Sequence, residues 1–277
     1  MTELFFPNQP DGVLTQEARF RAIAAKLPES DRLAMYSALS ICTPSLEDTE
    51  FRTEEDVVVA TQNGGEIVFP KPVPLVKLAL ISFGYEQWLQ RKYELPGFVE
   101  VERGDTVIDC GAYVGGFSLS AAKVASEVHA FEPDAANAAC ARRNLRHWAN
   151  AKVLECGLYD RSDEMTLNVS SNSVEHSLLQ PDDDVIVEER RIRVVALADY
   201  AADNGISRFD FVKIEAEGVE LEVFAGLGDM LPAKLAIDVS PERDKKSPAA
   251  EFSALLEPLG YEVRQREQVM FARLPLA

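Results

Sequence analysis

The sequence is short of cysteine, histidine and positive charge, and each shortage excludes something. Only 4 cysteines occur in 277 residues: Cys42, Cys110, Cys140 and Cys156. None is in a Cys-x-x-Cys pair or beside a histidine cluster, which removes a zinc ribbon or a disulfide framework and leaves reduced thiols as the expectation. Lysine and arginine total 28 against 46 aspartates and glutamates, a formal charge of −18. So acidic a surface repels phosphate backbones, and nucleic acid is not an expected partner. No apolar run approaches the roughly 18 residues of a membrane helix. The first residues, MTELFFPNQPDG, lack the basic and apolar regions of a secretory signal. A cytoplasmic protein with a small-molecule substrate and no membrane partner is the reading that remains.

What is present is an ordinary globular balance, 47% apolar and 27% charged residues, with length for about two domains. Residues 1–100 read as an irregular α+β cap or lid. Helical spacing runs from Val13 to Lys26 and from Ser30 to Leu39, and a strand pair is expected over Val57–Phe69 around Asn63-Gly64-Gly65. Residues 101–277 alternate short apolar strands with helices, the signature of a parallel α/β sheet. Strands are expected at Thr106–Asp109, Glu127–Phe131, Lys152–Leu154, Phe209–Ile214 and Leu235–Val239. Helices are expected to start near Gly116, Ala135, Val219 and Pro248. Tyr261–Arg266 and Val269–Arg273 read as a closing hairpin joined at Glu267-Gln268. Between Asp163 and Asp199 the rhythm breaks: Glu164–Val169 and Arg190–Val195 suit paired strands around a polar excursion over the carboxyl edge of the sheet, where ligands bind.

The chemistry is concentrated at strand ends. Asp109-Cys110-Gly111-Ala112-Tyr113-Val114-Gly115-Gly116 follows the first strand and opens a helix, with glycines for a tight turn and close approach to a ligand. The GxGxxG pattern of dinucleotide sites is absent, and a carboxylate stands at the strand end. An acid there repels a pyrophosphate but suits a ligand carrying an ammonium and a sulfonium, which describes S-adenosylmethionine (SAM). Glu132 follows Asp109 by about 23 positions, near the spacing at which an acid accepts hydrogen bonds from ribose hydroxyls. The third strand leads into Glu155 and Leu158, placed for an adenine ring. The fourth delivers Lys213-Ile214-Glu215-Ala216-Glu217-Gly218, with two acids expected on one face of the emerging chain.

At these residues the sequence resembles the FkbM-type family of class I SAM-dependent methyltransferases. The likeness rests on Gly84-Tyr85-Glu86, DCGAYVGGFS from Asp109, AFEPD from Ala130, Asn144 late in the following helix, and DFVKIEAEGVELEVFAGL from Asp210. The resemblance implies a Rossmann-like sheet of strand order 3-2-1-4-5-7-6 with an antiparallel seventh strand. It also implies SAM binding by Asp109, Gly111, Gly115 and Glu132, and methylation of a hydroxyl on a sugar, glycan or secondary metabolite. The family usually carries Asp where Glu215 stands and Glu where Asp238 stands.

Methyl transfer to an alcohol depends mainly on alignment and benefits from a base. Candidates on the acceptor side are Glu215, Glu217, Asp238 and His176. The cofactor-side set is Asp109, Gly111, Ala112, Tyr113, Gly115, Glu132, Glu155, Leu158 and, if the cap folds over the cleft, Glu86. His129 and His147 read as structural. No resident metal is expected, although Glu215, Glu217 and Asp238 offer oxygen ligands to a hard cation. The competing reading from another class is a SAM-binding scaffold or regulatory protein without turnover.

Overall fold

The computed structural model describes residues 49–62, 64–73, 77, 80–81, 84–170, 178 and 186–275. The helices expected over 13–26 and 30–39, and His176, lie outside the described residues. The chain divides into two compact units, Met1–Trp88 and Leu89–Ala277.

In the first unit β1 (Thr49–Glu54), β2 (Val57–Gln62) and β3 (Gly65–Pro70) form an antiparallel sheet. The expected strand pair is the β2–β3 hairpin, with Gln62 opposite Gly65. Gly64 turns the chain at φ 77°, a conformation that glycine adopts without a Cβ penalty. Strand β1 has no clear apolar alternation and is identified only by its ladder with β2. Helix α1 (Tyr85–Tyr93) follows, and its last turn opens the second unit.

The second unit runs β4 (Thr106–Cys110), α2 (Gly116–Ala122), β5 (Glu127–Phe131), α3 (Ala135–Leu145), β6 (Ala151–Leu154), β7 (Gly157–Leu158), β8 (Asp163–Ser170), β9 (Ile186–Val195), α4 (Leu197–Asn204), β10 (Phe211–Ile214), α5 (Glu220–Ala225), β11 (Lys234–Asp238), α6 (Ala249–Leu256), β12 (Glu262–Arg266) and β13 (Val269–Arg273). Seven strands make one sheet in the order β6-β5-β4-β10-β11-β13-β12. Counting only these strands in chain order gives 3-2-1-4-5-7-6. All neighbours are parallel except β13, which is antiparallel to β11 and β12. The fold is therefore the Rossmann-like α/β sheet expected of a class I methyltransferase.

The central strands are apolar because both faces are covered. Val107, Ile108, Val212, Ile214, Leu235 and Ile237 are fully buried, each contributing on the order of 1.5–3 kcal/mol by leaving water. Helix α3 starts where Asp134 accepts hydrogen bonds from the amides of Ala136 and Asn137, both at 2.9 Å, satisfying donors that a helix start otherwise leaves open. Arg142 and Arg143 in its last turn suit the negative end of the helix dipole.

Strands β8 and β9 pair antiparallel from Asp163 opposite Val194 onward, and β7 joins them in a second sheet. Arg190 of β9 lies 2.6 Å from Asp134, which brings this excursion to the carboxyl end of β5. Helix α4 is an addition to the sequence reading: its alanine-rich run follows β9 with no breaker residue to announce it. No described helix is long and apolar enough to cross a membrane. Cys110, Cys140 and Cys156 are free and buried.

Candidate active site

Parallel strands part at their carboxyl ends, and the loop after β4 occupies the opening next to β10. The amides of Gly111 and Ala112 both bond to the Phe131 carbonyl, at 3.1 and 3.0 Å. Asn144 holds the loop's far side through the Val114 carbonyl at 2.9 Å. Gly111 sits at φ 70°, and a Cβ there would stand 1.9 Å from the Glu215 carbonyl oxygen. The glycine is thus required by the backbone of the neighbouring strand as well as by the turn.

Glu132, at the end of β5, is 6% exposed. One oxygen accepts the Tyr113 amide at 2.8 Å, and the other accepts the Asp134 amide at 2.9 Å. Burial pushes its pKa up to about 7, against the stabilising pull of those amides. Asn137 Nδ2 adds a longer contact of 3.4 Å to the oxygen that accepts Asp134, so the open lone pair is on the oxygen that accepts Tyr113, where a further donor such as a ribose hydroxyl can bond. A carboxylate here suits the ribose hydroxyls of a nucleoside and repels a phosphate on them; it is the missing GxGxxG pattern, not Glu132, that argues against a dinucleotide.

Asp109 is wholly buried. Ser118 donates to its Oδ2 at 2.6 Å. The Lys213 ammonium lies 3.1 Å from its Oδ1, yet that oxygen makes no aligned hydrogen bond. Lys213 instead donates to the carbonyls of Cys110 and Gly111 at 3.0 and 2.8 Å. Asp109 thus orders Ser118 at the start of α2 and counters a buried lysine.

From Lys213 the charges continue in alternation. Its ammonium is 3.1 Å from Glu215 Oε2. Lys92, from the end of α1, lies 2.7 Å from Glu215 Oε1 and 2.8 Å from Asp238 Oδ2. Burial opposes ionisation of Glu215, but Lys92 and Lys213 outweigh it and hold its pKa well below the usual carboxylate range. Burial likewise disfavours the charged forms of Lys92 and Lys213, and the surrounding carboxylates raise both above the ordinary lysine value. Tyr93 stands between, its ring 4.7 Å from Lys92 Nζ and 5.0 Å from Lys213 Nζ.

Several expectations shift here. Glu215 and Glu217 do not share a strand face, because β10 ends at Ile214 and Glu217 adopts φ 50°. The turn is stapled by buried Glu220, whose Oε1 accepts the amides of Ala216 and Gly218 at 2.9 and 3.1 Å. Glu215 is doubly paired with ammonium groups and is a poor proton acceptor. Leu158 is 3% exposed within the hydrophobic core and presents no face to an adenine. Glu155 is exposed and paired with Arg142 at 2.9 Å. Ala112 is buried and Tyr113 takes φ 52°, both as parts of the loop, with Gly115 at φ 79° as the cap of α2. Glu86 belongs to the first unit. His129 is structural: its ring bonds Tyr200 at 2.8 Å in the core, while His147 is exposed.

The residues that sequence reasoning missed are the cations. Lys213 had a readable signal, a charged residue inside the buried run Phe211-Val212-Lys213-Ile214, which demands a counter-charge. Lys92 had none, since its partners lie more than a hundred positions away. Among the described residues no group of three or more His, Cys, Asp or Glu side chains could hold a metal; ammonium groups stand between Asp109, Glu215 and Asp238.

The chain is similar to several known proteins. The 31-O-demethyl-FK506 methyltransferase FkbM of Streptomyces tacrolimicus is 28% identical over 231 residues, covering 70% of this chain and 89% of that protein. Among solved structures, the methyltransferase FkbM from Methylobacillus flagellatus KT aligns at 18% identity with a TM-score of 0.44, over 70% of this chain and 52% of that one. The chain thus spans about half the length of that protein. M. jannaschii TYW2 in complex with AdoMet aligns at 11% identity with a TM-score of 0.43, over 80% of this chain and 89% of that one. Residues 109–263, more than half of the chain, match the Methyltransferase FkbM domain, and they carry the Gly111 loop, Glu132, Lys213, Glu215 and Asp238: the chain belongs to the FkbM methyltransferase family.

Proposed function

We propose that this protein is a SAM-dependent O-methyltransferase acting on a hydroxyl of a small molecule, such as a sugar, a glycan or a secondary metabolite, in the cytoplasm. The observation that carries the reading is the buried carboxylate of Glu132, whose hydrogen-bond donors among the described residues are all neutral, beside the Gly111 loop. Family membership supports a methyl donor. The name of the Streptomyces tacrolimicus relative supports an oxygen acceptor. The net charge of −18 favours a small acceptor over a nucleic acid.

When bound, SAM supplies a methyl group on a sulfonium, ready for in-line displacement. The chain's part is to bind and align. Glu132 accepts a ribose hydroxyl, and the loop from Gly111 to Gly115 leaves room for a close backbone approach. Asp109 and Ser118 fix the loop from beneath. Glu215, Glu217 and Asp238 lie at the carboxyl edge on the acceptor side. Alignment of this kind contributes as much as roughly 7–11 kcal/mol in well-oriented reactions.

The test is a screen of alcohols with methyl-labelled SAM. The expected result is label retained on an acceptor oxygen as an ether that survives mild base. Label appearing only on amines would contradict O-methylation. Saturable SAM binding with no transfer to any acceptor class would favour the non-catalytic binder.

A further inference from the structure

Five charged side chains alternate along the carboxyl edge of the sheet: Asp109, Lys213, Glu215, Lys92 and Asp238. Four come from the ends of β4, β10 and β11. Lys92 is the exception, contributed by the last turn of α1, ahead of the sheet. Its place is set by the terminal hairpin. Arg266 of β12 donates to the carbonyl oxygens of Arg91, Lys92 and Glu94, the last two at 3.2 and 3.1 Å, and so closes the end of that helix.

A side chain that takes a proton from an alcohol works best with a proton affinity matched to the working pH. Glu215 is built the opposite way, with Lys92 on one oxygen and Lys213 on the other. Asp238 is similarly engaged: Lys92 holds Oδ2, while the Ser240 amide donates to Oδ1 at 2.9 Å and the Ser240 hydroxyl contacts the same oxygen. Two carboxylates that touch one ammonium are close neighbours. Without the cation, such a pair cannot both stay ionised in a largely buried setting, and one takes up a proton.

We propose that Lys92 is a positioning residue for methyl transfer, fixing Glu215 and Asp238 side by side as hydrogen-bond acceptors that orient the incoming hydroxyl instead of as bases that take its proton. This rests on the O-methyltransferase reading above. The methyl group moves from sulfur, which keeps the bonding pair, to the hydroxyl oxygen, and the hydroxyl proton leaves to bulk water. The two carboxylates end the turnover as they began. The charged and titratable groups facing the pair are Lys92 and Tyr93 from α1, Asp109 from β4, Lys213 from β10, Glu220 from α5 and Glu242 beyond β11. Lys92 is the cation shared by both acids; Lys213 contacts only Glu215 of the two.

The experiment compares wild type with Lys92→Met and Lys92→Arg in two ways. Carbon-13 NMR follows carboxyl titration in the cofactor-free protein, and the pH dependence of transfer from labelled SAM is measured on an alcohol from the screen. Lys92→Met is expected to gain one further carboxyl titration step above the ordinary carboxylate range, absent from Glu215→Gln in the same background, beyond the raised steps that burial already gives wild type at Glu132, Glu220 and Glu242. Its kcat is expected to fall about tenfold near pH 6 and to recover as pH rises, while SAM affinity at alkaline pH stays within about twofold. Lys92→Arg keeps a cation between the acids and should show neither change. If Lys92→Met does not fold, Lys92→Gln replaces it. A Met or Gln variant with the wild-type titration curve and pH–rate profile overturns the proposal. A wild-type protein that binds no SAM overturns the methyltransferase reading instead, and the carboxyl titration still decides whether Lys92 holds the pair.

Discussion

Gly111 and Glu132 show what single positions contribute. Gly111 combines a left-handed φ of 70° with a neighbour 1.9 Å from where a Cβ would stand. Gly205, the cap of α4, has φ 65° and nothing within 4 Å. Gly205→Ala should therefore cost about 1 kcal/mol, the backbone penalty alone, and Gly111→Ala about 2–4 kcal/mol, because the β10 backbone must also move. Urea unfolding of the two variants reads the difference. For Glu132 the relevant quantity is the proton. Its pKa of about 7 reflects burial first, so near neutrality the free protein is split between acid and carboxylate. Ribose hydroxyls donate only to lone pairs, and they favour the carboxylate. SAM affinity is thus expected to rise as pH increases toward about 7 and to level off above it.

The elements differ in how plainly the chain announces them. Strands β4, β5, β10 and β11 were legible because a parallel strand covered on both faces has to be apolar, and the starts of α2 and α3 were expected near Gly116 and Ala135, where the structure has them. The closing hairpin was read to within a residue at its first strand, since Glu267-Gln268 interrupts two alternating runs. By contrast, β1, α1 and α4 were missed. Strand β1 is held by ladder bonds that leave no side-chain pattern, α1 was not among the expected helices, and α4 begins without a cap bond. The turn between β10 and α5 was located but its reason was not. Glu220 accepts two amides with one oxygen, so Glu220→Ala leaves a buried and a part-buried donor without their acceptor and should cost about 2 kcal/mol. Glu220→Gln, which retains an acceptor oxygen, should cost less than half of that. Thermal unfolding of the pair distinguishes a staple from a bystander.

At the scale of the whole molecule, acid dominates, and the site resolves that excess locally. The acids of the Asp109 loop and of the end of β10 are visible in the sequence. It hid the lysines that neutralise them, because Lys92 meets its partners only once α1 and the carboxyl edge of the sheet are assembled. Asp109 and Leu158 are both buried, Asp109 against Ser118 and Lys213 and Leu158 within the hydrophobic core. Glu132, which retains acceptor capacity on one oxygen and has no cation on it among the described residues, matters more to the proposed cofactor site than Asp109. The most direct test of that role is calorimetric titration of the protein with SAM, and with NAD as the comparison, at about pH 6 and about pH 8. The account predicts saturable SAM binding that tightens at the higher pH, loss of that pH dependence in Glu132→Gln, and no binding of NAD; NAD binding, or SAM binding that is indifferent to pH and to Glu132, would contradict it.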